Sequence, residues 1–187
     1  KFAMMLKNLE YVLGRALFDK AIQHYFDQWK MCHPYPEDFR NSVIQYTGVD
    51  LNWFFDEWLE TTKTIDYKIE KVKSIKPKAK SEGARQYEIT FRRKGSMQMP
   101  IDFSVIDKND STYHFYIPNT WWEKPSTGAM EIKTLPRWIG WGPKLKTTYT
   151  ATVTLQSKLK NVIIDPSFRM ADVDMTNNSL HSNNTLE

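Results

Sequence analysis

The sequence predicts an α+β protein in which an α-helical bundle or superhelix segment is followed by an antiparallel β-sandwich. Through residues 1–60, apolar residues recur at spacings of three and four, as they do on one face of a helix. From about Ile65 onward the period changes to two, which is the alternation of half-buried strands. We therefore expect a helical domain, a β-sandwich domain, and a disordered tail ending in what resembles a cloning scar, over residues 1–63, 64–178 and 179–187.

Glycine and proline divide the first domain into four predicted helices. Gly14 separates the first two helices, Pro36 suits the first position of the third, and Gly48 ends it. Asp50 can cap the fourth helix, which is expected from Leu51 to Leu59. The apolar stripe of the second helix is Leu17, Ala21, Ile22, Tyr25, Phe26 and Trp29. The side chains expected on the buried face of the fourth are Leu51, Phe54, Phe55, Trp58 and Leu59.

Short alternating runs in the second domain predict roughly seven strands joined in antiparallel hairpins. Lys94-Gly95 and the segment 108–110 have the composition of turns between strands. The apolar positions that define the runs are Ile65, Tyr67 and Ile69; Tyr87, Ile89 and Phe91; Ile101, Phe103 and Val105; Tyr113, Phe115 and Ile117; Tyr149, Ala151, Val153 and Leu155; and Val162, Ile163 and Ile164.

Charge and cysteine content exclude several classes of protein. Residues 1–66 carry 7 basic and 10 acidic side chains, whereas residues 67–187 carry 19 basic and 12 acidic, a net charge of +7. We interpret this basic excess as a solvated face of the sandwich and expect no nucleic-acid partner. No apolar run approaches the roughly 18 residues of a membrane helix, so no membrane segment is expected. The single Cys32 excludes an intrachain disulfide and leaves the compartment open.

The residue patterns of common catalytic sites are missing from this sequence. Zinc peptidases usually hold their metal with two histidines one helical turn apart, and no two of His24, His33, His114 and His181 lie four residues apart. The nearest approach to a ligand cluster is His33 with Glu37 and Asp38, in a loop before a helix. Asp56 and Glu57 point about 100° apart on a helix and are interpreted as solvent-facing charges. We therefore expect no catalytic residue and no metal ligand in this chain.

Tryptophans in the second domain define one candidate binding surface. They occur in a stretch that is interrupted by glycine and proline and has few strand signals. Exposed tryptophans in loops can stack on sugars or anchor a protein partner, so one function to consider is a binding module for protein or carbohydrate. The competing interpretation is that these rings cover the sandwich edge or its contact with the helices. The four residues are Trp121, Trp122, Trp138 and Trp141.

The most specific segment of the helical half is aromatic. Residues 48–59 read Gly-Val-Asp-Leu-Asn-Trp-Phe-Phe-Asp-Glu-Trp-Leu. This segment resembles the Gly-x-Asp-Leu-x-Trp-Phe-Phe-x-x-Trp-Leu signature of the aminopeptidase N family, which are zinc peptidases of the gluzincin type. Glu37-Asp38-Phe39 and the Leu-Gly pair at residues 13–14 are similar to that family too, in the same order. In that family the segment lies in the helical part of the catalytic domain, downstream of the zinc site.

The resemblance implies that the chain is the C-terminal fragment of a metallopeptidase. Lys1-Phe2-Ala3 resembles the Lys-x-Ala that follows the family's transition-state tyrosine, so the zinc ligands, the glutamate base and that tyrosine would lie upstream. Asp165-Pro166 and Asn177-Asn178 resemble the close of the family's sandwich domain. Zinc and peptide substrates are thus expected for the parent hydrolase, for which an extracytoplasmic location is open. The fragment is expected to hold no cofactor and to have the upstream catalytic domain as its partner.

Overall fold

A computed structural model describes residues 1–76, 84–125, 131–139 and 146–180. Within these ranges the chain forms two compact units. The helical unit comprises residues 1–63 and 122–125, and the sandwich unit comprises the remaining described residues, 64–121, 131–139 and 146–180. Helices precede a pair of sheets along the chain, so the predicted α+β class is confirmed.

The helical unit contains four helices, α1 (Phe2–Leu13), α2 (Arg15–Trp29), α3 (Pro36–Thr47) and α4 (Asn52–Glu60). Gly14 and Gly48 adopt φ angles of 79° and 66°, which glycine reaches without steric cost, and they separate α1 from α2 and end α3 as predicted. The helix α4 begins one residue later than predicted, so its N-cap is Leu51 and not Asp50, although Asp50 Oδ1 accepts the backbone N–H of Asn52 at 3.1 Å. None of the helices in the described part of the chain combines the length and the apolarity that a membrane crossing requires.

Aromatic rings from α3 and α4 form one part of the core of the helical unit, to which α1 adds Leu9 and Leu13. Phe54 is fully buried, and its ring centroid lies 5.6 Å from that of Phe55 and 6.1 Å from that of Trp58. Phe39 of α3 meets Phe55 edge-on at 5.9 Å. Edge-to-face packing of this kind adds to the free energy that burial of the rings already contributes.

Two side chains of α4 contradict the sequence interpretation. Leu59, expected on the buried face, is 41% exposed although it lies one turn after the buried Phe55, in the last turn of α4, which ends at Glu60. Glu57, expected at the surface, is 5% exposed, because it follows Phe54 by three residues and shares its face. The buried Glu57 carboxylate is neutralised by Lys63, whose Nζ lies 3.1 Å from Oε1.

Seven strands build the sandwich unit in two sheets, ordered β1-β2-β6 and β5-β4-β3-β7. Alternate side chains of both sheets point into the core, where the rings of Phe91 and Phe103 face each other across the sheets at 4.8 Å. The strands are β1 (Tyr67–Ile75), β2 (Arg85–Arg93), β3 (Ile101–Asp107), β4 (Thr112–Ile117), β5 (Ile132–Thr134), β6 (Thr148–Leu155) and β7 (Leu159–Ile164).

The strand β5 departs from the antiparallel prediction. It runs parallel to β4, with His114 opposite Ile132 and Tyr116 opposite Thr134, whereas the other neighbouring strands of the two sheets pair antiparallel. Parallel neighbours end at the same edge of a sheet. The residues that follow β4 and those that follow β5 are therefore brought together.

The segment after β7 is fastened to the start of β1. Asp172 Oδ2 accepts the backbone N–H of Tyr67 at 2.9 Å, and burial raises the pKa of Asp172. Ser179 forms an isolated bridge with Ile163, and Leu180 is buried. Of the expected tail, Ser179 and Leu180 are described and have these contacts, whereas residues 181–187 lie outside the described residues.

Candidate functional site

The described histidines lie on different parts of the chain, His24 on α2, His33 in the segment before α3, and His114 on β4. No three His, Cys, Asp or Glu side chains in the described residues are arranged to hold a metal ion. Of the suggested cluster around His33, Asp38 is engaged at the start of α3, where its Oδ2 accepts the N–H of Tyr35 at 2.8 Å. The ring of His24 on α2 stacks on that of Tyr46 on α3, with centroids 4.7 Å apart. His181 lies outside the described residues.

A serine–histidine pair joins β3 and β4, and the sequence analysis did not single it out. Ser104 and His114 are opposite each other in the ladder, with Oγ 2.9 Å from Nδ1. Ser104 is 2% exposed, so a substrate has no access to its hydroxyl. We interpret the pair as hydrogen bonding of a buried hydroxyl. The strand alternation on either side of the turn at residues 108–110 could have predicted it, because an antiparallel register centred on that turn places residue 104 opposite residue 114.

The tryptophans of the predicted surface that the structure describes differ in their burial. Trp121 belongs to the sandwich unit and is 83% exposed. Trp122 belongs to the helical unit and is partly buried. Trp138 is only 8% exposed, and Trp141 lies outside the described residues. Among the described tryptophans of that surface, Trp121 alone presents an exposed ring.

Trp138, one of the predicted surface residues, is nearly buried within the sandwich unit. Its indole Nε1 donates to the carbonyl of Lys146 at 2.9 Å. Its ring lies 5.5 Å from that of Tyr67 and 5.6 Å from that of Tyr149. A buried indole with its N–H satisfied contributes to packing rather than to recognition.

Trp121 and Arg137 meet at the edge where β4 and β5 end. Trp121 follows β4 by four residues, and the Cζ atom of Arg137 lies 3.3 Å above the centroid of its ring. Arg137 belongs to the segment 135–138, which we call the β5 extension. At its ends, the N–H of Leu135 donates to Tyr116 O at 2.8 Å and that of Trp138 donates to Pro118 O at 2.9 Å. The arginine of this cation–π pair therefore lies on backbone that hydrogen bonds hold on both sides.

Tyr149 fixes the middle of the β5 extension. Its hydroxyl donates to the carbonyl of Pro136 at 2.7 Å, and burial raises the pKa of Tyr149 to about 12. Because the unfolded chain loses this proton near pH 10, the native state holds it more tightly between pH 10 and 12. The contribution of Tyr149 to stability is thus fully present below pH 10 and is lost as the pH rises through 12.

We expect the wild-type protein to lose more stability between pH 9 and pH 12 than Tyr149→Phe does, because phenylalanine has no proton to release. Urea denaturation followed by circular dichroism across this range measures the difference. Tyr113→Phe, at a partly exposed tyrosine of β4, is the control. Equal slopes of stability against pH for the wild type and Tyr149→Phe would contradict the assignment.

The helical unit exposes several large apolar side chains. In the predicted apolar stripe on α2, Ala21 is buried and Phe26 is 58% exposed, and the remaining residues are partly buried. Scattered exposed apolar residues are normal, but a helix of 15 residues with one buried position is poorly covered. Other large apolar side chains exposed in this unit are Phe2, Met4, Met31, Tyr35, Tyr46 and Leu59.

Comparisons with known proteins support the fold alone. No protein-family model matches the chain, and a search of curated proteins found no match. Among solved structures, the chain is similar to the aminopeptidase A of Legionella pneumophila, crystallised in complex with aspartic acid, with 12% identity and a TM-score of 0.54. The match covers 91% of this chain and 17% of that aminopeptidase. This chain therefore shares the fold of one segment of a peptidase and spans about one sixth of that protein's length.

Proposed function

We propose that this chain is a non-catalytic C-terminal part of a zinc metallopeptidase of the aminopeptidase N family. The observation that carries the proposal is the structural match, which takes in both units yet covers only 17% of an aminopeptidase. The segment 48–59, which resembles the family signature, supports the same assignment, and its rings pack inside the helical unit. In the parent enzyme this part completes the helical wall of the catalytic domain and adds the sandwich.

The parent reaction is the hydrolysis of N-terminal residues from peptides. Zinc in such enzymes polarises the scissile carbonyl and lowers the pKa of its bound water. The described residues do not suit that metal, because no three of their His, Cys, Asp and Glu side chains are placed to bind one ion. We therefore assign no step of the reaction to this chain and place the zinc ligands, the glutamate base and the catalytic tyrosine upstream.

The apolar face of α2 supports an upstream catalytic domain as the partner of this part. Phe26 is largely exposed, and Ile22 and Trp29 are only partly covered. Complete burial of such side chains stabilises a contact by roughly 1.5–3 kcal/mol each. A neighbouring element of the same catalytic domain is the simplest partner for this face.

The proposal is tested by measuring zinc content and hydrolysis of aminoacyl-coumarin substrates. Two proteins are compared, the 187-residue chain and the product of a reading frame extended upstream of Lys1. We expect no stoichiometric zinc and no hydrolysis for the chain alone. The longer product is expected to bind one zinc and to hydrolyse the substrate. One tightly bound zinc in the chain alone, or none in the longer product, would contradict the proposal. His33→Ala in the longer product is the matched control and should leave its zinc content unchanged.

A further inference from the structure

The Trp121–Arg137 pair joins an exposed indole to a partly exposed guanidinium and is organised before any partner binds. Its arginine lies on the β5 extension, which two backbone hydrogen bonds hold at its ends and the Tyr149 hydroxyl holds in its middle. Contact with the indole ring further limits the rotamers of the arginine. Side chains that are ordered in advance lose less conformational entropy on binding, so more of their interaction energy appears as affinity.

The chemistry of the pair favours a carboxylate as its ligand. The indole covers one face of the Arg137 guanidinium, whereas the N–H groups of a guanidinium point outward in its plane. A carboxylate accepts two parallel hydrogen bonds from such an edge. In the described part of the chain, no aspartate or glutamate forms an ion pair with Arg137, so this capacity is unused. Trp121, with most of its ring exposed, offers apolar area beside it.

The net charge of the second part of the chain favours an acidic partner, although Glu123 is exposed two residues from Trp121. Residues 67–187 carry a net charge of +7. Lys133 of β5 is exposed, and so is Lys146, whose carbonyl binds the indole of Trp138. Glu131 precedes β5 and thus lies at the end opposite to Arg137. Complementary charge of this kind raises the association rate and disfavours basic partners.

We propose that Trp121 and Arg137 bind a carboxylate side chain in an acidic peptide segment of a partner protein. This inference does not rest on the proposed function, since it concerns a surface of the sandwich unit and no catalytic group. A nucleic acid is the less favoured ligand, because its affinity depends on many phosphate contacts and the whole chain carries only +4.

Fluorescence anisotropy with a fluorescein-labelled hexaglutamate peptide tests the inference on the 187-residue chain. We expect saturable binding that Trp121→Ala and Arg137→Gln each weaken by about tenfold, the loss typical of a central contact residue. Arg137→Lys keeps the charge but loses the planar fork, so it should weaken binding by about threefold or more. Both side chains are at the surface, and unchanged thermal unfolding of the variants will verify that they fold.

Lys73→Gln is the matched control. It also removes one positive charge, but from an exposed side chain on β1, which belongs to the other sheet. It should change the affinity by less than about twofold, as expected for a distant exposed charge. A loss equal to that of Arg137→Gln would show that net charge alone drives binding and would overturn the inference. The inference would also be overturned if neutral hexaglutamine bound as tightly as hexaglutamate. Tighter binding of an oligothymidylate through the same two residues would overturn it too.

Discussion

Gly95→Ala is expected to destabilise the sandwich unit by about 3 kcal/mol or more, at the upper end of what overpacking usually costs. A Cβ atom at this position would lie 2.3 Å from the carbonyl oxygen of Thr64 and 2.6 Å from the backbone nitrogen of Asp66. These are backbone atoms, and hydrogen bonds hold them in place. The N–H of Lys94 donates to Asp66 O at 2.7 Å, and that of Met97 donates to Thr64 O at 3.1 Å.

Urea denaturation of Gly95→Ala, followed by circular dichroism of the strands, measures this effect. The neighbouring Ser96→Ala is the control, because Ser96 is exposed and its change should stay within about 0.5 kcal/mol. If Gly95→Ala unfolds at the same urea concentration as the wild type, the close approach of these two backbone segments is wrong.

Trp58→Ala is expected to destabilise the helical unit by about 3–5 kcal/mol, the usual cost of removing a large buried aromatic side chain. Its ring is nearly buried and packs against Phe54, which is itself fully buried. Deletion would leave a cavity at the centre of the aromatic core that α3 and α4 share.

The loss of helical signal on heating or in urea measures the effect of Trp58→Ala. Leu59→Ala in the same helix separates burial from helix propensity, because leucine and alanine are both good helix formers and Leu59 is substantially exposed. We expect it to cost less than about 1 kcal/mol, as for other surface substitutions. Equal losses for the two variants would contradict the assignment of the buried face.

Element boundaries could be predicted because they depend on local chemistry. Gly14 and Gly48 adopt conformations that other residues avoid, and Pro36 fixes the first turn of α3, so each marks a helix end within the sequence itself. Strands such as β2 and β3 were predictable because one face of each is buried and the alternation is strong.

Long-range packing decided the features that the sequence did not predict. The strand β5 has three residues, too few for a periodic signal, and its parallel pairing depends on where the chain re-enters the sheet. Glu57 is buried although acidic, because Lys63 lies close enough to pair with it. Trp138 and Trp121 have similar local sequence character, and only the fold buries the first and exposes the second.

The candidate surface was predictable only in part. Composition pointed to exposed tryptophans, and Trp121 is one. Its partner Arg137 lies sixteen residues further along the chain, and the two meet only because β4 and β5 end at the same edge. The sequence offers no pattern that links them.

The reading frame upstream of Lys1 gives the most direct test of the assignment to a zinc aminopeptidase. Sequencing the gene should reveal a His-Glu-x-x-His motif, a further glutamate about one helix later, and a tyrosine two residues before Lys1. A gene without a histidine pair ahead of this point would contradict the assignment and leave a helical unit and a β-sandwich with no link to peptide hydrolysis.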